Sequence, residues 1–226
     1  MDEAITTTEL FTPIVEGEKI LGDNSFIIIN EQILFWHAEK KCVVFSQINE
    51  EQDYNVDDYM QLPENAPYQL IEKKLVFMAA PLDIHQKISG DLFLEIGLYV
   101  KSNKLGHVRF SPCDVHFDKD NVCQPDLLFI SIGRSSIIQK WIYGAPDFVV
   151  EILSESNPNN DLVAKKRVYG KFDVVEYWIV YPKEEKVEVF HNQNKEMQLV
   201  QTAKKSHTIR SIAIQGFDLE VVRIFE

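Results

Sequence analysis

The run Phe148-Val149-Val150-Glu151-Ile152-Leu153 constrains the fold more than any other part of the chain. It is almost continuously apolar, the pattern of a strand buried on both faces rather than one lying on a half-solvated sheet. A second run of the same kind, Glu176–Tyr181, ends at Pro182. Between them, residues from Asp161 to about Phe172 read as a helix, with Asp161 as its N-cap. Both runs therefore read as buried strands.

The rest of the chain can be laid around that centre. Three short β-prone runs, Phe26–Ile29, Ile33–Trp36 and Cys42–Gln47, read as antiparallel hairpins, serving as an extra layer or as a dimer contact. Val56–Leu62 reads as a short helix stopped by Pro63, and Tyr68–Ile71 and Leu75–Met78 as strands around Glu72-Lys73-Lys74. Ile84, Ile88, Leu92, Ile96 and Val100 recur every fourth residue, with Phe93 and Leu98 widening the stripe, which predicts an amphipathic helix capped by Asp83. Val108–Phe117 and Val122–Ile130 read as a hairpin around residues 118–121, which sets Asp114 roughly opposite Asp126. Residues 133–144 form a mixed connection, and residues 186–190, 197–201 and 209–224 a terminal antiparallel meander. At 226 residues, with no repeat, low-complexity tract or linker, the chain reads as a single domain.

A net charge of −12 argues against a protein whose main work is gripping duplex DNA. The local clusters Lys73-Lys74, Lys165-Lys166-Arg167 and Lys204-Lys205 keep a nucleic-acid substrate open. Cys42, Cys113 and Cys123 are too few for a disulfide framework and lack the spacing of a zinc site. No apolar run approaches the roughly 18 residues of a membrane span, and the first residues are acidic where a signal peptide would be basic. These features predict a reduced, soluble, cytoplasmic protein.

Glu151 is the residue that needs a reason. A lone glutamate in a strand buried on both faces is costly unless it is paired or ligates a cation. A structural salt bridge is the competing reading. Asp126 poses the same question, because it follows Pro125 inside an apolar run. Two acids on neighbouring strands can hold Mg²⁺ through hard oxygen ligands and leave positions for water and phosphate. Asp161, Lys165 and Tyr169 are each four residues apart and line one helix face, so Lys165 can point back toward the strand ends. A solvated Asp–Lys pair is the alternative there. His85, one turn into the long helix, is either a phosphate- or proton-handling group or a partly buried, satisfied histidine. Asp147 reads as a turn or capping acid, and Tyr177 and Trp178 as core aromatics.

Six motifs occur in order: Tyr68-Gln-Leu-Ile-Glu72, Pro81-x-x-x-His85, Gln124-Pro-Asp126-Leu-Leu-Phe, Ala145-Pro-Asp-Phe-Val-Val-Glu151-Ile-Leu-Ser154, Asp161-x-x-x-Lys165-x-x-x-Tyr169 and Glu176-Tyr-Trp-Ile-Val. Over about residues 54–200 the chain resembles the Uma family of restriction endonucleases, a branch of the PD-(D/E)XK nuclease superfamily first catalogued as a domain of unknown function. The resemblance implies an α/β (α+β) fold with a restriction-endonuclease-like core. Its centre would be a mixed β-sheet with four core strands, flanked by helices, with extra antiparallel strands at both termini. Residues 1–50 would then be a β-prone extension and 51–226 the nuclease domain.

By that likeness Asp126 and Glu151 are the metal carboxylates and Lys165 is the third catalytic group, moved from strand to helix. His85, Asp114 and Tyr169 are auxiliary. The superfamily lysine usually lies two residues beyond the glutamate, where this chain has Leu153, and Lys73-Lys74 replace the usual glycine turn.

The leading functional reading is a Mg²⁺-dependent endodeoxyribonuclease, with Mn²⁺ as substitute and DNA as partner. Cutting both strands would favour a homodimer. The alternatives are a catalytically silent binding or assembly module on the same fold, and a nuclease acting on RNA or on branched or damaged DNA.

Overall fold

The structure is a computed structural model and describes residues 26–29, 32–37, 42–46, 52–62, 66–78, 80–153 and 159–226. The expected helix stop at Pro63 lies outside the described residues. The three N-terminal runs form strands β1 (Phe26–Ile29), β2 (Gln32–His37) and β3 (Cys42–Ser46), paired antiparallel in that order. A short helix, Val56–Tyr59, follows; Asn55 caps it, its side chain accepting from the Asp57 and Asp58 amides.

β4 (Tyr68–Ile71) and β5 (Lys74–Phe77) form a tight hairpin. Its two turn residues are Glu72 and Lys73, both at positive φ (48° and 69°), so Lys74 begins the second strand rather than belonging to the turn. Two left-handed residues give the twist that a two-residue hairpin needs.

The long helix spans Asp83–Ser102, with Leu82, not Asp83, at its N-cap. Ile88, Leu92, Ile96 and Val100 are buried as their spacing predicts, but Ile84 and Leu98 are exposed. The buried stripe runs one position over at its start and takes in His85 instead of Ile84.

The expected hairpin over 108–130 is divided between two sheets. Each arm breaks: β6 (Gly106–Phe110) and β7 (Val115–Asp118) on one side, β8 (Asn121–Cys123) and β9 (Leu127–Ser131) on the other. Pro112 and Pro125 sit at the breaks, and a proline cannot donate to the ladder. β6 and β9 pair with each other in one sheet, β7 and β8 in another. Asp126 is thereby placed at the corner, one residue before β9.

A 3₁₀ turn at Ile132–Ile137 leads to β10 (Ile142–Tyr143), then to β11 (Phe148–Ile152). The helix carrying Lys165 covers Asn159–Lys171, so Asp161 lies inside it and is not its N-cap. Then come β12 (Glu176–Tyr181), β13 (Lys186–Gln193), β14 (Glu196–Lys204), β15 (Thr208–Arg210) and β16 (Asp218–Glu220).

The central sheet is six-stranded, in the order β14-β13-β12-β11-β9-β6, and it is mixed: β11 and β12 are parallel, the other pairs antiparallel. A five-stranded sheet, β10-β7-β8-β4-β5, packs beside it, and β15 pairs with β16. Period two decides which residue goes where. Phe148, Val150, Ile152, Leu127, Phe129, Trp178 and Val180 form one core with the long helix. Val149, Leu128, Ile130, Tyr177 and Ile179 face the other way, against Val168 and Tyr169 of the helix Asn159–Lys171 and against Val115 and Phe117. Each fully buried aliphatic side chain contributes about 1.5–3 kcal/mol. Glu151 sits on the second face. The helix can lie close there because Gly170 has no Cβ; one would stand 2.7 Å from the Lys195 carbonyl oxygen.

Candidate functional site

Glu151 is 4 % exposed and both its oxygens are engaged. Lys165 Nζ donates to Oε2 at 2.9 Å and the Tyr169 hydroxyl to Oε1 at 2.5 Å. The spacing of Lys165 and Tyr169, one turn apart, puts both on the helix face that looks down on β11. Leu153, at the position where a strand lysine would stand, is partly buried and packs in the apolar layer. The helix therefore delivers the ammonium that the strand does not.

Charge explains why a lysine so deeply buried stays protonated. Burial disfavours the ammonium, but the charges of Glu151 and Asp126 outweigh it and hold the amine above its ordinary value. Burial pushes the Glu151 carboxyl up; Lys165 pulls against it and the charge of Asp126 adds to it. Burial and then the Glu151 charge put the Tyr169 phenol well above its usual range, so it is a donor at neutral pH.

Asp126 Oδ2 accepts the Ile152 amide at 2.7 Å and lies 3.2 Å from His85 Nε2. The Ile152 bond ties the corner at Asp126 to the residue next to Glu151. Burial alone would lower the His85 imidazole, but the hydrogen bond to Asp126 and the charges of Asp126 and Glu151 leave it above its ordinary value. His85 is thus hydrogen-bonded to Asp126, and that contact favours its charged form.

Asp114 lines the same cleft but is tied elsewhere. Its Oδ1 accepts from Gln124 Nε2 at 2.8 Å and from the Tyr59 hydroxyl at 3.1 Å, and Gln69 Oε1 holds the Gln124 amide at 2.8 Å. The Tyr59–Gln124–Asp114 cluster was not legible in the sequence, since its members come from 55 and 65 residues apart. Asp147 behaves as a capping acid, accepting from the Ser131 amide at 2.7 Å and from Arg134 at 3.1 Å. Glu176 went unnoticed as a structural residue. It is wholly buried and accepts from Trp178 Nε1 and Ser211 Oγ and from the Ile212 and Ala213 amides.

Asp114, Asp126, Glu151, Lys165 and His85 all line one cleft of 1340 Å³. Among the described residues no group of three or more His, Cys, Asp or Glu side chains stands ready to hold a metal by itself. Asp126 and Glu151 nevertheless suit Mg²⁺, which takes one or two carboxylates and keeps several waters. Their donors are hard oxygens, each carboxylate has lone pairs beyond those in use, and the mutual repulsion felt at Glu151 is what a divalent cation relieves.

The chain matches a family model, Uma2, described as "Putative restriction endonuclease", over residues 56–222. The match runs on into the terminal strands, beyond the motifs quoted above. Among solved structures it is similar to a crystal structure described as "a putative nuclease belonging to DUF820" from Anabaena variabilis ATCC 29413. The TM-score is 0.65 and the identity 20 %, over 76 % of this chain and 97 % of that one, which is a likeness of fold. No curated protein matches the chain. Among the described residues no helix is long and apolar enough to cross a membrane. A mixed sheet flanked by helices, one acid at its corner and another on the neighbouring strand, and a family match over most of the length lead to one conclusion: the chain belongs to the Uma2 family, whose description is that of a nuclease.

Proposed function

We propose that this protein is a Mg²⁺-dependent endonuclease that hydrolyses phosphodiester bonds in DNA, with Mn²⁺ as a substitute. Residues 51–226 form the nuclease unit and residues 1–50 an extension to it. The observation that carries the reading is the ion pair between Lys165 and Glu151 at the floor of a cleft that Asp126 also lines.

Asp126 and Glu151 would hold the cation. When bound, it supplies charge for the phosphoryl oxygens and acidifies a water. Lys165 places a fixed positive charge where negative charge grows on the phosphoryl group, and a preorganised donor of this kind needs no reorganisation during reaction. Tyr169 locks the Glu151 carboxylate in one orientation. His85 holds a proton at Nε2 against Asp126 and keeps that carboxylate turned into the cleft. A homodimer is the assembly that cutting both strands of a duplex would call for.

A second reading, a silent module, is favoured by one observation: both Glu151 oxygens are already satisfied by Lys165 and Tyr169. Plasmid nicking in Mg²⁺ or Mn²⁺, comparing the parent with Glu151→Ala, separates the two. Metal-dependent cleavage that disappears in the variant supports the enzyme. No cleavage by either protein, across supercoiled, linear and single-stranded DNA, leaves the silent module.

A further inference from the structure

We infer that the mouth of this cleft binds an unpaired polynucleotide strand, so that the site works on single-stranded rather than intact duplex nucleic acid. The inference rests on the phosphodiesterase reading of the cleft and names its substrate class. Two features of the cleft carry it.

The first is depth. Glu151 is 4 % exposed and Lys165 6 %, and both lie on the floor. A phosphate has to descend to them. Duplex DNA is stiff over lengths far greater than this cleft, whereas an unpaired strand bends within a few nucleotides and can thread down to the floor.

The second is the pairing of aromatic rings with free cations at the rim. Phe110 is 52 % exposed and lines the cleft. Phe93 holds its ring edge-on, with centroids 4.7 Å apart. Phe110 pairs in register with Leu127, the residue after Asp126. Arg109 precedes it, exposed, and among the described residues its side chain donates to the Val108 carbonyl alone.

Another part of the lining carries Trp141, with Lys140 Nζ 4.2 Å from its ring centroid. Neither Arg109 nor Lys140 is ion-paired with a described residue. Both are therefore open to a phosphate, in a chain whose net charge is −12. An aromatic face for a base beside a cation for its phosphate is the recurring unit of single-strand binding. A chain of net charge −12 is poorly suited to the many phosphate contacts of a duplex.

The test is fluorescence anisotropy with labelled oligothymidine, oligouridine and a hairpin duplex, each of about 12 nucleotides or base pairs, within the site size of single-strand grooves. Ca²⁺ replaces Mg²⁺, so that binding is read without cleavage. At least one single strand is expected to bind about tenfold tighter than the duplex, and the DNA and RNA arms name the sugar. Phe110→Ala and Arg109→Ala are each expected to weaken single-strand binding about tenfold, with the fold retained and duplex binding unchanged. Lys140→Arg is expected to bind like the parent and Lys140→Glu about tenfold worse.

Duplex binding as tight as single-strand binding overturns the inference, as do Phe110→Ala and Arg109→Ala variants that fold and bind like the parent. Cleavage in Mn²⁺ is scored separately. Duplex cut in preference to single strand sinks this inference and leaves the nuclease; single strand bound tightly but never cut sinks the nuclease and leaves the groove.

Discussion

Lys165 Nζ meets Glu151 Oε2 at 2.9 Å across the boundary between a strand and the helix that follows it, 14 residues apart in the chain. Both side chains are nearly sealed from water, so the pair's worth depends on both members being present. Lys165→Met leaves an unpaired buried carboxylate and Glu151→Leu an unpaired buried ammonium. Each is expected to cost about 3–5 kcal/mol in urea unfolding. The double variant is expected to recover most of that loss, while metal-dependent cleavage falls by about a hundredfold or more in all three. Strictly additive destabilisation would show that the two groups do not depend on each other.

His85 and Asp126 make stability depend on pH in a defined sense. The imidazole's value is raised in the folded protein, so the charged form is the one that folding favours. The stabilisation is complete below the unfolded-state value of about 6.5 and disappears as pH rises through the higher folded-state value. Without added metal, the gap in melting temperature between the parent and His85→Gln is expected to be wider at acidic than at alkaline pH. A gap that widens toward alkaline pH would mean that Asp126 does not hold the proton on His85.

The apolar runs around Glu151 were legible because burial on both faces leaves no polar positions in a strand, and a lone acid there stands out. The helix from Asp83 was legible from its period, although its first contact with the core is His85 rather than Ile84, an offset that only packing decides. The expected hairpin over 108–130 does not anticipate its division between two sheets, yet Pro112 and Pro125 in its two arms are a signal for it. The Tyr59–Gln124–Asp114 cluster carries no such signal, since nothing local marks residues brought together from distant parts of a chain.

Glu176 shows that a buried acid in a central strand can serve structure alone. It accepts four hydrogen bonds, from Trp178 Nε1 at 2.6 Å, Ser211 Oγ at 2.7 Å and the amides of Ile212 and Ala213 at 2.8 and 2.9 Å. Through them it fastens the segment before β16 to the sheet face away from Glu151. Glu176→Ala orphans all four donors and is expected to destabilise the protein by about 3 kcal/mol or more. Glu176→Gln, which keeps one acceptor oxygen, should lose less. Nucleic-acid binding by the folded fraction is expected to match the parent; weaker binding at equal folded fraction would place Glu176 in the site's machinery.

The turn at Glu72-Lys73 tests whether backbone strain or side-chain contact dominates in a hairpin that borders the Lys165 helix. Both residues adopt positive φ, which costs an L-residue with a Cβ roughly 1–2 kcal/mol relative to its usual conformation. Lys73 offers only an exposed ion pair with Asp53 at 3.4 Å in return, and pairs of that kind contribute little. Lys73→Gly is therefore expected to stabilise the protein, by about 0.5–1 kcal/mol once the greater freedom of glycine in the unfolded chain is set against the relief. Glu72 differs, because its carboxylate takes both a 3.0 Å and a 2.6 Å hydrogen bond from Arg167 on the Lys165 helix. Glu72→Gly loses that fork and is expected to gain less than Lys73→Gly, or to lose stability outright. Equal gains from the two variants in urea unfolding would mean that the Glu72–Arg167 contact contributes nothing to holding the helix in place.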